Sequence, residues 1–144
     1  MDPKLQALLD AFTLRDFYVY ELDFAALAVG VPQTNSFTVQ ADSNFLWQQG
    51  CQFTDIAGAL QTASSQVLPL VTITILDTSS GRQLTSAPAP VPSLYGDANL
   101  PYNLPTPRFF RSNTQVSVTA TSYAVAGTVY ANMKLQFIGT KFFN

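Results

Sequence analysis

The amino-acid sequence predicts an all-β fold, an antiparallel β-sandwich of the jelly-roll or Greek-key kind. Three observations carry that expectation. Strand-length segments with alternating apolar and polar residues recur along the chain, turn residues separate them at intervals of roughly 8 to 20 positions, and no helical period lies between them. Nothing repeats at a fixed period, which argues against a solenoid or propeller.

The first element is the exception. Leu5, Leu8, Leu9 and Phe12 fall at helical spacing behind Asp2-Pro3, with Asp2 placed as an N-cap and Pro3 at the first helical position. This spacing predicts a short amphipathic helix over 4–14 within an N-terminal arm, 1–16. Its apolar stripe either covers the end of the chain's own core or docks on a neighbour.

A single domain, 17–144, follows. Phe17 to Phe24 is rich in aromatic and β-branched residues and reads as a strand, which Gly30 to Asn35 ends. Ser36 to Gln40 alternates, Ala41 to Asn44 is a turn, and Phe45-Leu46-Trp47 opens a strand running toward Phe53. Leu70 to Asp77 is the clearest strand, with Val71, Ile73 and Ile75 on one face and threonines on the other; Thr78 to Gly81 is its turn. Thr114 to Thr121 alternates in the same way, and Val129 to Gly139 closes the sheet. The period of two assigns Val71, Ile73, Ile75, Val116, Val118, Met133, Leu135 and Phe137 to the core.

Residues 86–107 differ from the rest, because they hold six of the nine prolines. Proline-spaced segments are extended and lose little entropy on ordering, so they can be laid along another surface cheaply. The segment therefore reads as an extended loop, lying on a neighbouring subunit or crossing its own sandwich. On a neighbour, Tyr95, Leu100 and Tyr102 would be apolar anchors, with Arg108 and Arg111 nearby to pair with carboxylates.

Composition sets the class of partner. With 7 basic against 9 acidic residues the net charge is −2, and the basic residues are scattered, so no stripe exists to neutralise a run of phosphates. The start lacks the pattern of a secretory signal, and no apolar run is long enough to span a membrane. One cysteine, Cys51, cannot make an intrachain disulfide, as suits a reducing cytoplasm. Charged residues make up 11% of the chain, against about 25% in an average domain, so Ser, Thr, Asn and Gln must cover the surface. Such a surface binds partners without stripping water from many ions, and together with 12% aromatic residues it predicts a homo-oligomer, a trimer by preference.

Catalytic chemistry finds no foothold. The sequence has no histidine, which removes the usual general base and every Ser-His or Cys-His pair. Cys51 reads as a small core residue, zinc lacks ligands, and Asp42 with Asn44 or Asp97 with Asn99 read as turn residues rather than calcium sites. Glu21 is the one glutamate, no carboxylate pair stands out, and the glycines are isolated rather than grouped in a phosphate loop. The expectation is a non-enzymatic protein with no catalytic, cofactor-binding or metal-ligating residue.

The second half has a recognisable cadence. Arg108-Phe109-Phe110-Arg111-Ser112-Asn113-Thr114, the alternating strand, Ser122-Tyr123, and the closing Tyr130 to Gly139 with Lys141 resemble the ending of small tailed-phage virion proteins. Phe37 to Trp47, two strands around a polar turn, is similar to the opening of the same group, and the resemblance covers roughly 35–144. It implies a β-sandwich virion protein, often trimeric, made in the host cytoplasm and carried on the capsid surface. The leading expectation is a capsid decoration or cement subunit that bridges copies of the major capsid protein and stabilises the head. A neck, tail or baseplate accessory protein is the alternative. A carbohydrate-binding or adhesin module, with Trp47, Tyr95 or Tyr102 stacking on sugars, is a second.

Overall fold

The computed structural model describes residues 3–4, 15–56, 67–96 and 100–143. The expected N-terminal helix, with Leu5, Leu8, Leu9 and Phe12, lies outside the described residues. Nine strands are described: β1 (Arg15–Ala28), β2 (Gln33–Thr38), β3 (Ser43–Asp55), β4 (Val71–Asp77), β5 (Arg82–Gln83), β6 (Ala89–Pro90), β7 (Tyr102–Phe110), β8 (Gln115–Ser122) and β9 (Val129–Phe143). A single turn of helix, α1 (Val91–Leu94), separates β6 from β7.

The strands form two antiparallel sheets, one in the order β1-β9-β3-β7 and the other β2-β8-β4-β5, with β6 also on β4. The pairs β1·β9, β2·β8, β3·β7 and β4·β5 are nested one inside the next, so the chain is a long antiparallel hairpin with its tip at β4–β5. Winding this hairpin gives β9 a second partner in β3, and β8 a second partner in β4. All four pairs therefore alternate between the sheets, which is the jelly-roll arrangement.

Burial follows the alternation. Val71, Ile73, Ile75, Val116, Val118, Met133, Leu135 and Phe137 are all buried, as their period predicts. Phe37 of one sheet stacks on Tyr20 of the other, with ring centroids 4.6 Å apart, and meets Phe137 edge-on at 4.8 Å. Trp47 lies 4.7 Å from the same Phe137 ring, so this aromatic cluster joins the two layers. Ile73→Ala should cost about 2 to 5 kcal/mol in a urea titration, since it opens a cavity between sheets that cannot collapse freely. A loss below about 1 kcal/mol would mean that Ile73 does not face this core.

Two irregularities shape the surface. Ala26 takes φ 50°, and the shift in parity there turns both Phe24 and Leu27 inward although they are three residues apart. Gln48 bulges out of β3: Trp47 pairs with Gly139 and Gln49 with Ile138. Opposite this bulge β7 also leaves register, with Arg108 facing Trp47 and Asn103 facing Gln49, so residues 104–107 arch out of the sheet edge.

The proline-rich segment therefore differs from the extended loop expected over 86–107. It contains β6, α1 and the first six residues of β7. The physical reason is position: β7 is an edge strand, where Pro105 and Pro107 sacrifice no hydrogen bond to a further strand and stop another chain from pairing there.

Candidate interaction surface

The contact residues expected from sequence are dispersed. Tyr95 caps the end of α1, its amide donating to the Val91 carbonyl at 2.9 Å, and its side chain turns into the core, where it is 2% exposed. It stacks toward Trp47 and meets Phe137 edge-on. Gly50 makes room: a Cβ there would stand 2.9 Å from the Tyr95 ring. Tyr95 is thus a core residue rather than an anchor on a neighbour, a correction that follows from this one glycine.

Leu100 is 80% exposed and Tyr102 half-buried at the start of β7. Arg108 pairs within the chain, its Nη2 3.4 Å from Asp77 Oδ2, while Arg111 is exposed. Asp77 also accepts from the Ser79 hydroxyl at 2.8 Å and from the Ser79 amide at 3.1 Å. Burial by itself would raise the Asp77 pKa, but the hydrogen bonds from Ser79 and Ser80 outweigh it and hold the carboxyl below its ordinary range. Arg108 and Asp77 therefore tie β7 to the β4–β5 turn, and of these two arginines Arg111 is the one left facing solvent.

The outer face of the β1-β9-β3-β7 sheet carries mixed chemistry. A depression of about 290 Å³ is lined by Phe17, Gln48, Gln49, Asn103, Ile138 and Thr140. Its amides are largely committed to one another, Gln49 donating to Asn103 at 2.7 Å and Thr140 to Gln48 at 2.8 Å. Farther along β9, Lys134 bridges to Asp23 at 2.8 Å, and that hydrogen bond raises the Lys134 pKa. At the chain's C-terminal end the buried Lys141 places its ammonium 3.8 Å from the centre of the Tyr18 ring and donates to Gln40, a cation–π seat that sequence reading did not single out.

Among the described residues no group of three His, Cys, Asp or Glu side chains is placed to hold a metal ion. No helix among them is long and apolar enough to cross a membrane. Trp47 and Tyr95, two of the three aromatics expected to stack on sugars, are buried in the core, because the β3 bulge and Gly50 fold both rings inward.

No family model, no curated protein and no solved structure matches the chain. Its functional reading rests on its own residues.

The Tyr95 hydroxyl is buried and makes no hydrogen bond among the described residues. A buried hydroxyl without a partner costs about 1 to 3 kcal/mol, so Tyr95→Phe should raise stability by about 1 kcal/mol. Burial also pushes the Tyr95 phenol well above its ordinary pKa. A raised folded-state pKa gives stability that is full below the unfolded value, about 10, and is lost as pH climbs toward the folded one. Thermal melts from pH 9 upward should therefore fall more gently for Tyr95→Phe than for the natural chain. Equal slopes would show that the ring is not sealed in the core.

Proposed function

We propose that this chain is a non-enzymatic structural subunit of a tailed-phage particle, a decoration or cement protein that sits on the capsid surface and bridges neighbouring capsid subunits. The observation that carries the reading is the winding of the chain. Jelly rolls recur in viral capsid and lectin domains, and this one combines that architecture with a surface poor in charge and rich in Ser, Thr, Asn and Gln. Because a fold by itself does not specify function, the support comes from the combination with the virion-like sequence cadence of 108–141. Self-association into a trimer and contact with the major capsid protein are part of the same proposal.

Mass spectrometry of purified particles tests it, with immunogold labelling to locate the chain. The proposal expects the protein in many copies on the head. Labelling confined to the neck or tail would assign the accessory role instead, and absence from particles would sink the virion reading altogether.

A further inference from the structure

The charges of this chain are distributed unevenly along the sandwich, and so are its exposed apolar side chains. Ten large apolar residues are exposed among those described, and seven of them lie at one end. Val31 is on the β1–β2 turn; Ile56, Leu68 and Leu70 flank the β3–β4 connection; Tyr123 and Val125 are on the β8–β9 turn, and Val129 opens β9.

Hydrogen bonds gather these connections. The Gly30 amide donates to the Ser122 carbonyl at 3.0 Å, the Tyr123 amide to the Leu70 carbonyl at 3.0 Å, and the Leu70 amide to the Tyr130 hydroxyl at 2.9 Å. The Val67 amide donates to the Thr54 carbonyl at 2.9 Å, which brings in the end of β3. Three connections far apart in sequence thus build one surface.

That surface is uncharged. Stretches 24–41, 56–76 and 112–133 contain no Asp, Glu, Lys or Arg. Asp55, at the end of β3, is fully buried. Arg15, Asp16, Asp42, Asp77, Arg82, Arg111 and Lys141 belong to the opposite end, where β1 begins, β9 finishes and the β2–β3, β4–β5 and β7–β8 turns lie.

We infer that the uncharged end, carrying Val31, Leu70, Tyr123, Val125 and Val129, is where copies of this chain meet one another around a symmetry axis. The inference rests on the self-association within the proposed function and names its surface. On a cyclic axis a side chain faces its own copies, so a charge of either sign placed there meets the same sign and is costly. An end with no exposed charge among the described residues and several exposed apolar side chains meets that requirement from three separate loops. A different protein as partner would place no such ban on charge. A lipid surface fits less well, because shallow apolar loops hold a membrane weakly without basic residues to reach anionic headgroups, and this end has none among the described residues.

Light scattering on the full chain at micromolar concentration tests the inference. The natural protein should show a mass that is a multiple of 15.7 kDa. Val125, 78% exposed on a turn, can be changed without disturbing the core. Val125→Asp and Val125→Lys should each raise the dissociation constant about a hundredfold or more, as expected for an unpaired charge at a desolvated contact, and leave the circular-dichroism spectrum unchanged. Val31→Asp, on a different loop, should act alike. Phe17→Asp, on the outer sheet face, should leave the mass intact.

Oligomers that survive all three substitutions, or that Phe17→Asp dissolves, would overturn the choice of surface. A natural chain that stays at 15.7 kDa, or that co-sediments with phosphatidylcholine or phosphatidylserine vesicles through Val125, would overturn the self-contact. Neither result touches the virion reading: a monomeric chain found on particles leaves that reading standing, and oligomers dissolved by both Val125 variants keep the contact even if particles lack the protein.

Discussion

Gly139→Val should remove about 4 kcal/mol or more of folding stability, a large share of the usual 5 to 15 kcal/mol of a domain. Gly139 lies in the middle of β9 between Tyr18 of β1 and Trp47 of β3, beside the bulge at Gln48. A Cβ added there would stand 1.8 Å from the Leu46 carbonyl oxygen and 3.2 Å from the tip of the Phe45 ring. The first obstacle is backbone, which cannot rotate aside, and valine adds two methyl groups beyond the Cβ. β9 pairs with both β1 and β3, so displacing it disturbs most of one sheet at once. The neighbouring Thr140 faces outward, and Thr140→Val should change stability by less than about 1 kcal/mol. Parallel urea titrations of the two variants check the contrast; a loss at Gly139 no larger than at Thr140 would mean that the strands do not approach so closely.

The contrast also explains what sequence could disclose. Where one face is buried and the ladder is regular, as in β4 and β8, alternation marks the strand and its inner face to the residue. β1 continues past the expected Phe24 to Ala28, but the left-handed backbone at Ala26 breaks the period that would have shown it. β2 begins at Gln33 rather than Ser36, because the polar run Gln33-Thr34-Asn35 makes an edge strand whose partners on β8 lie over eighty residues away. The glycine at 139 looks like any strand glycine until the β3 bulge beside it is known. The uncharged end had a local signal in its three charge-free stretches, yet that they share one surface depends on the winding, which alternation does not encode.

The second large effect concerns the prolines. Replacing residues 88–104 by a Gly/Ser linker should unfold the domain rather than merely prevent assembly. The segment supplies Val91, fully buried, and Tyr95, 2% exposed, to the core between the sheets. Removing a buried aromatic costs about 3 to 5 kcal/mol and a buried valine about 1.5 to 3 kcal/mol, which together approach the whole stability of a domain of this size. Backbone pairing adds to the loss. The Gln52 amide donates to the Gly96 carbonyl at 2.8 Å and the Gly96 amide to the Gly50 carbonyl at 3.0 Å, so this segment closes the edge of β3 beyond the reach of β7. An extended proline segment could have served a neighbour as readily as its own domain, and the choice turns on Gly50, whose missing side chain lets the Tyr95 ring settle on β3. Circular dichroism of the linker variant should show strand content lost or melting lowered by tens of degrees. A variant that keeps its strands and its melting temperature but no longer assembles would return the segment to the subunit contact, and would require Val91 and Tyr95 to leave the core that they fill here.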